Sequence, residues 1–206
     1  MKVLIGCEYS GITRKAFYDK GHDATSCDLL PTEIDGYGKH YQGDVRDIIG
    51  DGWDLAIFHP DCTYLANSGV RWLYEQPERW QKTIEGAVFF RELLEADIPM
   101  IAVENPIIHK WAKMIIGREQ DQTIQPYQFG HPERKATCLW LKGLPLLRET
   151  ENVKHIMDEL PAKESNRIHY MSPGPDRGKE RSKSYSGIAH AMATQWTDAH
   201  NGRLEK

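Results

Sequence analysis

Short apolar runs that break off into polar residues constrain this chain most. "KVLIG" (2–6) runs into "CEYSG", "WDLAIF" (53–58) into "HPDCTY", and "PMIAV" (99–103) into "ENP". Each run has the length of a strand buried on both faces. Between them lie segments with helical spacing: "ITRKAFYDKG" (12–21), closed by Gly21, and the long "PERWQKTIEGAVFFRELLEADI" (77–98). In the second, Ile84, Val88, Leu93 and Leu94 are expected to form the buried stripe. "HDATSCD" (22–28) adds a strand ending in an acid, and residues 29–40 read as loop. "KHYQGDVRDI" (39–48) reads as a short edge strand and a turn. This alternation predicts a mostly parallel sheet with helices on both faces, a three-layer α/β/α sandwich of Rossmann-like type.

The last third is less regular. "KATCLWL" (135–141) predicts a strand, residues 145–183 read as loops, and "SGIAHAMATQW" (186–196) as a closing helix with Ser186 as its cap. In that helix Ile188, Met192 and Trp196 share one face. A length of 206 residues suits one domain, 1–206. The balance of 26 basic and 30 acidic residues implies no nucleic-acid partner by itself. The four cysteines stand far apart, at positions 7, 27, 62 and 138, which argues against disulfides and a structural zinc site; no metal is expected. The opening "MKVLIGCEYS" turns polar too soon for an export signal, and no apolar run reaches membrane length, so a cytoplasmic setting is expected.

The first strand–turn–helix–strand unit has the layout of a cofactor-binding βαβ. Gly6 and Gly11 would let the backbone approach a ligand, Cys7 and Glu8 lie in the turn between them, and Asp28 stands where an acid meets ribose hydroxyls. Gly-x-Gly-x-x-Gly is absent, and Glu8 would repel a pyrophosphate at the helix start. A cofactor without phosphates, such as S-adenosylmethionine, fits better, with Asp44 of "QGDVRD" in reach of an adenine amino group. The same glycines and acids also occur in ordinary turns and helix caps.

"HPDCTYLANSG" (59–69) resembles the Pro-Cys loop of the cytosine C5-methyltransferases, and "AVENP" (102–106) their Glu-Asn signature. The order also agrees: glycine turn, Asp28, Asp44, Pro60-x-Cys62, Glu104-Asn105 and a helix after "YSG". With "TYLANSGVRW", "ENPI" and "QPYQFGHPERKATCLWLKGLP", the chain is most similar to small phage- and prophage-type DNA cytosine methyltransferases over most of residues 2–196. The resemblance implies a class I S-adenosylmethionine-dependent methyltransferase fold, methyl transfer to cytosine C5 in a bacterial host, and Cys62 as covalent nucleophile. A thiolate adding to C6 makes C5 nucleophilic, and protonation of N3 by Glu104, which needs a raised pKa, stabilises the adduct. Asn105 would orient Glu104 or the loop.

Further residues follow from the same resemblance. Arg134 or Lys135 replaces the family's Arg-x-Arg strand, Arg134 preferred for its planar fork. Gly187 stands in its closing Gly-Asn pair, and Pro60 borders the cofactor. Thr63, Tyr64, Ser68 and Arg71 follow Cys62 as candidate substrate contacts, and "LANSG" reads as a flexible flap over the base. Tyr64, Trp72, Tyr74 and Tyr170 could stack on an unpaired base. Asp61 replaces a second proline and disfavours the thiolate. Residues 142–184, loop-rich, stand in place of a target-recognition domain. DNA binding is therefore expected to be weak and of low sequence specificity, carried by the basic residues of 163–183. A free cytosine nucleotide or a single strand is the alternative substrate, and a non-catalytic binding fold the alternative function.

Overall fold

The computed structural model describes residues 1–174 and 177–203. Over these, the chain builds a sheet from β1 (Lys2–Gly6), β2 (Asp23–Asp28), β3 (Lys39–Gln42), β4 (Leu55–Phe58), β5 (Met100–Asn105), β6 (Gln122–Ile124) and β7 (Thr137–Lys142). The order is β3-β2-β1-β4-β5-β7-β6. Neighbours from β3 to β5 are parallel, whereas β7 runs antiparallel to both β5 and β6. The chain leaves β1 for β2 on one side and returns through β4 on the other. That reversal opens a crevice beyond the carboxyl ends of β1 and β4.

Alternate strand residues serve opposite layers, as a period of two requires. Val3, Ile5, Leu55, Ile57, Leu139 and Leu141 pack against α1 (Ile12–Asp19) and the closing helix (Ser186–His200). Leu4, Ala56, Phe58, Ile101, Val103 and Trp140 pack against α3 (Arg79–Glu95) and α4 (Lys110–Ile116), which follow the one-turn α2 (Trp72–Glu75). Phe90 meets Trp140 edge to face at 4.9 Å. The expected α/β/α layering is therefore present. No described helix is long and apolar enough to cross a membrane.

Three local expectations change. The buried stripe of α3 is Thr83, Ala87, Phe90, Leu93 and Leu94, while Ile84 and Val88 are exposed. One step around the helix moves a side chain by about 100°, so small Ala87 faces the sheet and lets the helix approach closely. Residues 145–183 are not simply loops. They carry α5 (Lys154–Glu159), α6 (Ala162–Ser165), α7 (Arg167–Tyr170) and α8 (Arg177–Ser182), with Val153, Met157 and Ile168 buried as anchors. Residues 175 and 176 of that stretch lie outside the described residues. Helices this short show too little periodicity to register in a sequence.

Ser186 is not the cap of the closing helix, α9 (Ser186–His200). Tyr185 takes the extended cap position, and the Gly187 N–H donates to His131 Nε2 at 3.0 Å, so an imidazole from elsewhere in the chain caps the first turn.

Candidate active site

Three strand ends converge at the crevice. β1 ends at Gly6, and Cys7 then adopts a left-handed backbone (φ 59°), a strained choice for a residue with a Cβ. β4 ends at Phe58, and the His59 N–H prolongs its pairing by donating to Gly6 O at 3.0 Å. Pro60 is buried and stiffens the exit toward Cys62. β5 ends in Glu104 and buried Asn105, whose Nδ2 donates to Pro60 O at 2.9 Å. Asn105 thereby ties the end of β5 to the cysteine loop.

These ends open into a cleft of about 1260 Å³. Cys62, Glu104, Asn105, Thr63, Ser68 and Lys135 line it together with Cys7, Asp28, Asp44 and Pro60. Ten of the candidate residues read from the sequence, scattered from position 7 to 135, thus share one concavity.

The loop around Cys62 is held rather than loose. Asp61 Oδ1 accepts from the Thr63 N–H at 2.9 Å and from its hydroxyl at 2.6 Å, an Asx turn that fixes the bend where a second proline was expected. The Leu65 and Ala66 N–H groups donate to Cys62 O at 3.0 and 2.9 Å. The Asn67 N–H donates to Ile107 O at 2.8 Å, the His109 N–H to Leu65 O at 2.9 Å, and the Thr83 hydroxyl to Tyr64 O at 3.0 Å. Leu65 is fully buried. The expected flexible flap is therefore corrected: "LANSG" is pinned to the segment after β5, and it offers exposed Asn67 and Ser68 to the cleft.

Burial raises the Cys62 pKa, Asp61 and Glu104 add to the effect, and Lys135 and Arg181 oppose it. Glu104 departs from expectation. Burial pushes its pKa up, but the hydrogen bond and charge of His59 outweigh burial, and it lies below the usual carboxylate value. His59 Nδ1 stands 2.8 Å from Glu104 Oε2. Nothing local in the sequence marks His59 for this role, since the two residues stand 45 positions apart.

Where the sequence leads one to expect a cofactor, Asp28 Oδ1 accepts from the Leu30 N–H at 2.9 Å and Asp44 Oδ1 from the Arg46 N–H at 2.9 Å. Four expected residues lie off the cleft lining. Glu8 is buried and turned into the helix start: Oε1 accepts from the Thr13 N–H at 2.7 Å, which makes it the cap of α1. Gly11 is the left-handed residue just before α1. A Cβ on Gly6 would stand 2.5 Å from the Phe58 ring, so its smallness serves strand packing. A Cβ on Gly187 would stand 1.9 Å from Phe129 O. Gly187→Ala must displace backbone, and we expect it to destabilise the fold by about 1–3 kcal/mol, read as a lowered Tm by calorimetry.

On the opposite side, Arg134 is corrected. Its guanidinium pairs with Asp158 at 2.8 Å on the surface, away from the cleft. Lys135 lines the cleft instead. Arg177, Lys179 and Arg181 of α8 form the facing wall, and Tyr9 Oη holds that helix by donating to Lys179 O at 2.7 Å. Tyr64 lies under the Arg79 guanidinium, and Arg71 stacks on Trp72, both outside the lining. Tyr74 packs with Trp80 and Trp111 in a surface cluster, and Tyr170 is exposed.

No family model and no curated protein matches the chain. Among solved structures it is similar to a candidate DNA modification methyltransferase encoded within prophage Cp of E. coli. The two are 15% identical, with a TM-score of 0.44 over 68% of this chain and 46% of that one. The chain thus matches about half the length of that protein.

Proposed function

We propose that this chain is a class I S-adenosylmethionine-dependent methyltransferase acting on C5 of cytosine, with DNA as its substrate. One juxtaposition carries the reading: Cys62 and Glu104, from the ends of two different strands, line one cleft and are linked through Asn105 and Pro60. A nucleophile and a proton donor on one wall are what addition to C6 and protonation at N3 require.

The donor set at the other end suits the cofactor. Acids at the ends of β2 and β3, Asp28 and Asp44, match hydroxyl and amino groups, and Glu8 at the start of α1 disfavours a phosphate there. When bound, S-adenosylmethionine supplies the methyl group. Cys62 forms the bond to C6, Glu104 places a proton on N3, Asn105 holds the two loops in register, and the pinned 65–67 segment keeps water from one side of the base. Lys135, Arg177, Lys179 and Arg181 give the cleft wall a positive stretch fit for phosphates, despite the chain's net charge of -4.

The deciding experiment incubates the protein with labelled S-adenosylmethionine and duplex DNA, single-stranded DNA or dCMP, and identifies the product base. 5-Methylcytosine from duplex supports the reading. Label in dCMP alone moves the substrate to a free nucleotide, and no label in any of them removes the activity. We expect Asp28→Ala to weaken cofactor binding about ten- to a hundredfold by calorimetry, the loss of a charge-assisted hydrogen bond. Unchanged affinity would show that the cofactor lies elsewhere.

A further inference from the structure

We propose that His59 is the positioning partner of Glu104 and the store of the proton that Glu104 delivers to cytosine N3. This inference rests on the cytosine reading of the cleft. The two side chains are almost closed to solvent, 10% and 13% exposed, and their 2.8 Å contact joins the ends of β4 and β5. Main-chain pairing of His59 to Gly6 fixes the imidazole's origin. The pair lines the main cleft and also a small pocket of about 10 Å³, which Thr13, Lys135, Thr137 and Tyr185 complete. His59 Nε2 and Thr13 Oγ1 are both buried without a partner among the described residues. The imidazole's one bonded nitrogen is the one aimed at Glu104.

The charged and titratable groups around His59 come from four elements. Glu104 faces it from β5, Glu8 from the turn after β1, Lys135 from the segment before β7, and Tyr185 from the start of α9. Burial and Lys135 oppose the imidazolium, and the Glu104 hydrogen bond with the two carboxylates outweighs them, so His59 keeps its proton above the ordinary histidine value. With His59 beside it, Glu104 is held below the usual carboxylate value and has no proton of its own to give at neutral pH. The pair has one.

The step balances. Cys62 first loses its thiol proton to solvent in the open cleft. Its Sγ lone pair forms the bond to C6, and the C5–C6 π electrons move into the ring toward N3. The Nδ1 proton of His59 passes to Glu104, and Glu104 passes a proton to N3. The adduct is then neutral, His59 neutral and Glu104 a carboxylate. When water in the open cleft takes the C5 proton, the C–H electron pair re-forms the C5–C6 double bond and Sγ leaves as thiolate; the N3 proton then returns by the same route and restores the pair.

His59→Asn tests this, because its amide can donate to Glu104 from the position of Nδ1 but carries no transferable proton. We expect kcat to fall about a hundredfold, the lower reach of general acid catalysis. KM and cofactor affinity should change little, and the alkaline limb of the pH–rate profile should move to lower pH. Wild-type kcat and profile in His59→Asn would overturn the proposal and leave His59 a spacer. Nitrogen NMR of the substrate-free wild type gives a second measurement that no variant's folding can compromise. An imidazolium at pH 7 is expected, and a neutral imidazole there overturns the proposal. The two readings fail differently: a wild type that methylates no cytosine refutes the function, whereas an active wild type matched by His59→Asn refutes only the proton store.

Discussion

Cys62→Ala is expected to abolish methyl transfer while leaving the fold and cofactor binding intact. The side chain is partly exposed at the cleft and anchors no core, so its loss removes the proposed nucleophile and little else. Cys62→Ser should be equally inactive, because a hydroxyl is a far weaker nucleophile for addition to C6. The raised thiol pKa adds a pH signature. The thiolate fraction grows about tenfold per pH unit below that pKa, so the acid limb of the rate profile should climb toward alkaline pH. A 5-fluorocytosine substrate makes the adduct visible, since fluorine cannot leave as the C5 proton does, and the linked peptide should contain Cys62. Cys7 is the informative competitor, as it also lines the cleft. Burial and the nearby Asp28, Cys27 and Asp44 push its thiol up to about 12, so it stays protonated and unreactive. Cys27 borders the cleft too, but it is buried and its thiol is likewise pushed up to about 12, and Cys138 is buried in the core. An adduct on any of these three, or full activity in Cys62→Ala, refutes the covalent mechanism.

What the sequence made legible is the carboxyl end of the sheet. A strand buried on both faces must be apolar along its length, so the first polar residues after it mark where it emerges. Asp28 and the place of Cys62 were found that way, the resemblance to cytosine methyltransferases singled out Pro60, Glu104 and Asn105, and all five line one cleft. Contacts made across the chain left no such mark. Glu8 looked like a ligand-facing acid because helix caps and cofactor acids occupy the same turn, and only the Thr13 hydrogen bond tells them apart. Arg134 and Lys135 are neighbours of equal charge, and only the folded chain shows that Lys135 enters the cleft while Arg134 pairs with Asp158. "LANSG" has the composition of a mobile loop and is fixed by bonds to residues 107–109, about forty positions on. The His59–Glu104 contact belongs to the same class. Its residues were adjacent to recognised ones, but their pairing exists only in three dimensions.

That pairing gives the second large expected effect. Glu104→Gln should slow methyl transfer roughly 10²- to 10⁴-fold, since the amide can accept a hydrogen bond but cannot carry a proton to N3. The same change should alter the pH dependence of stability, and the sign follows from both partners. Burial raises the Glu104 pKa but His59 brings it below the ordinary 4.5, so its contribution is present above 4.5 and lost as pH falls through the lowered value. Burial lowers the His59 pKa but Glu104 brings it above the ordinary 6.5, so that contribution is complete below 6.5 and lost as pH rises through the raised value. The pair therefore stabilises most between the two ordinary values. In Glu104→Gln the imidazole keeps its burial and loses its carboxylate, so it becomes neutral through that window. The difference in unfolding free energy between wild type and Glu104→Gln, followed by urea titration from pH 4 to 9, should peak near pH 5–6 at about 1–3 kcal/mol and decline toward both ends. A flat difference across that range would mean that the contact is a neutral hydrogen bond, and a carboxylic acid already protonated on its own would then have to serve N3 without help from His59.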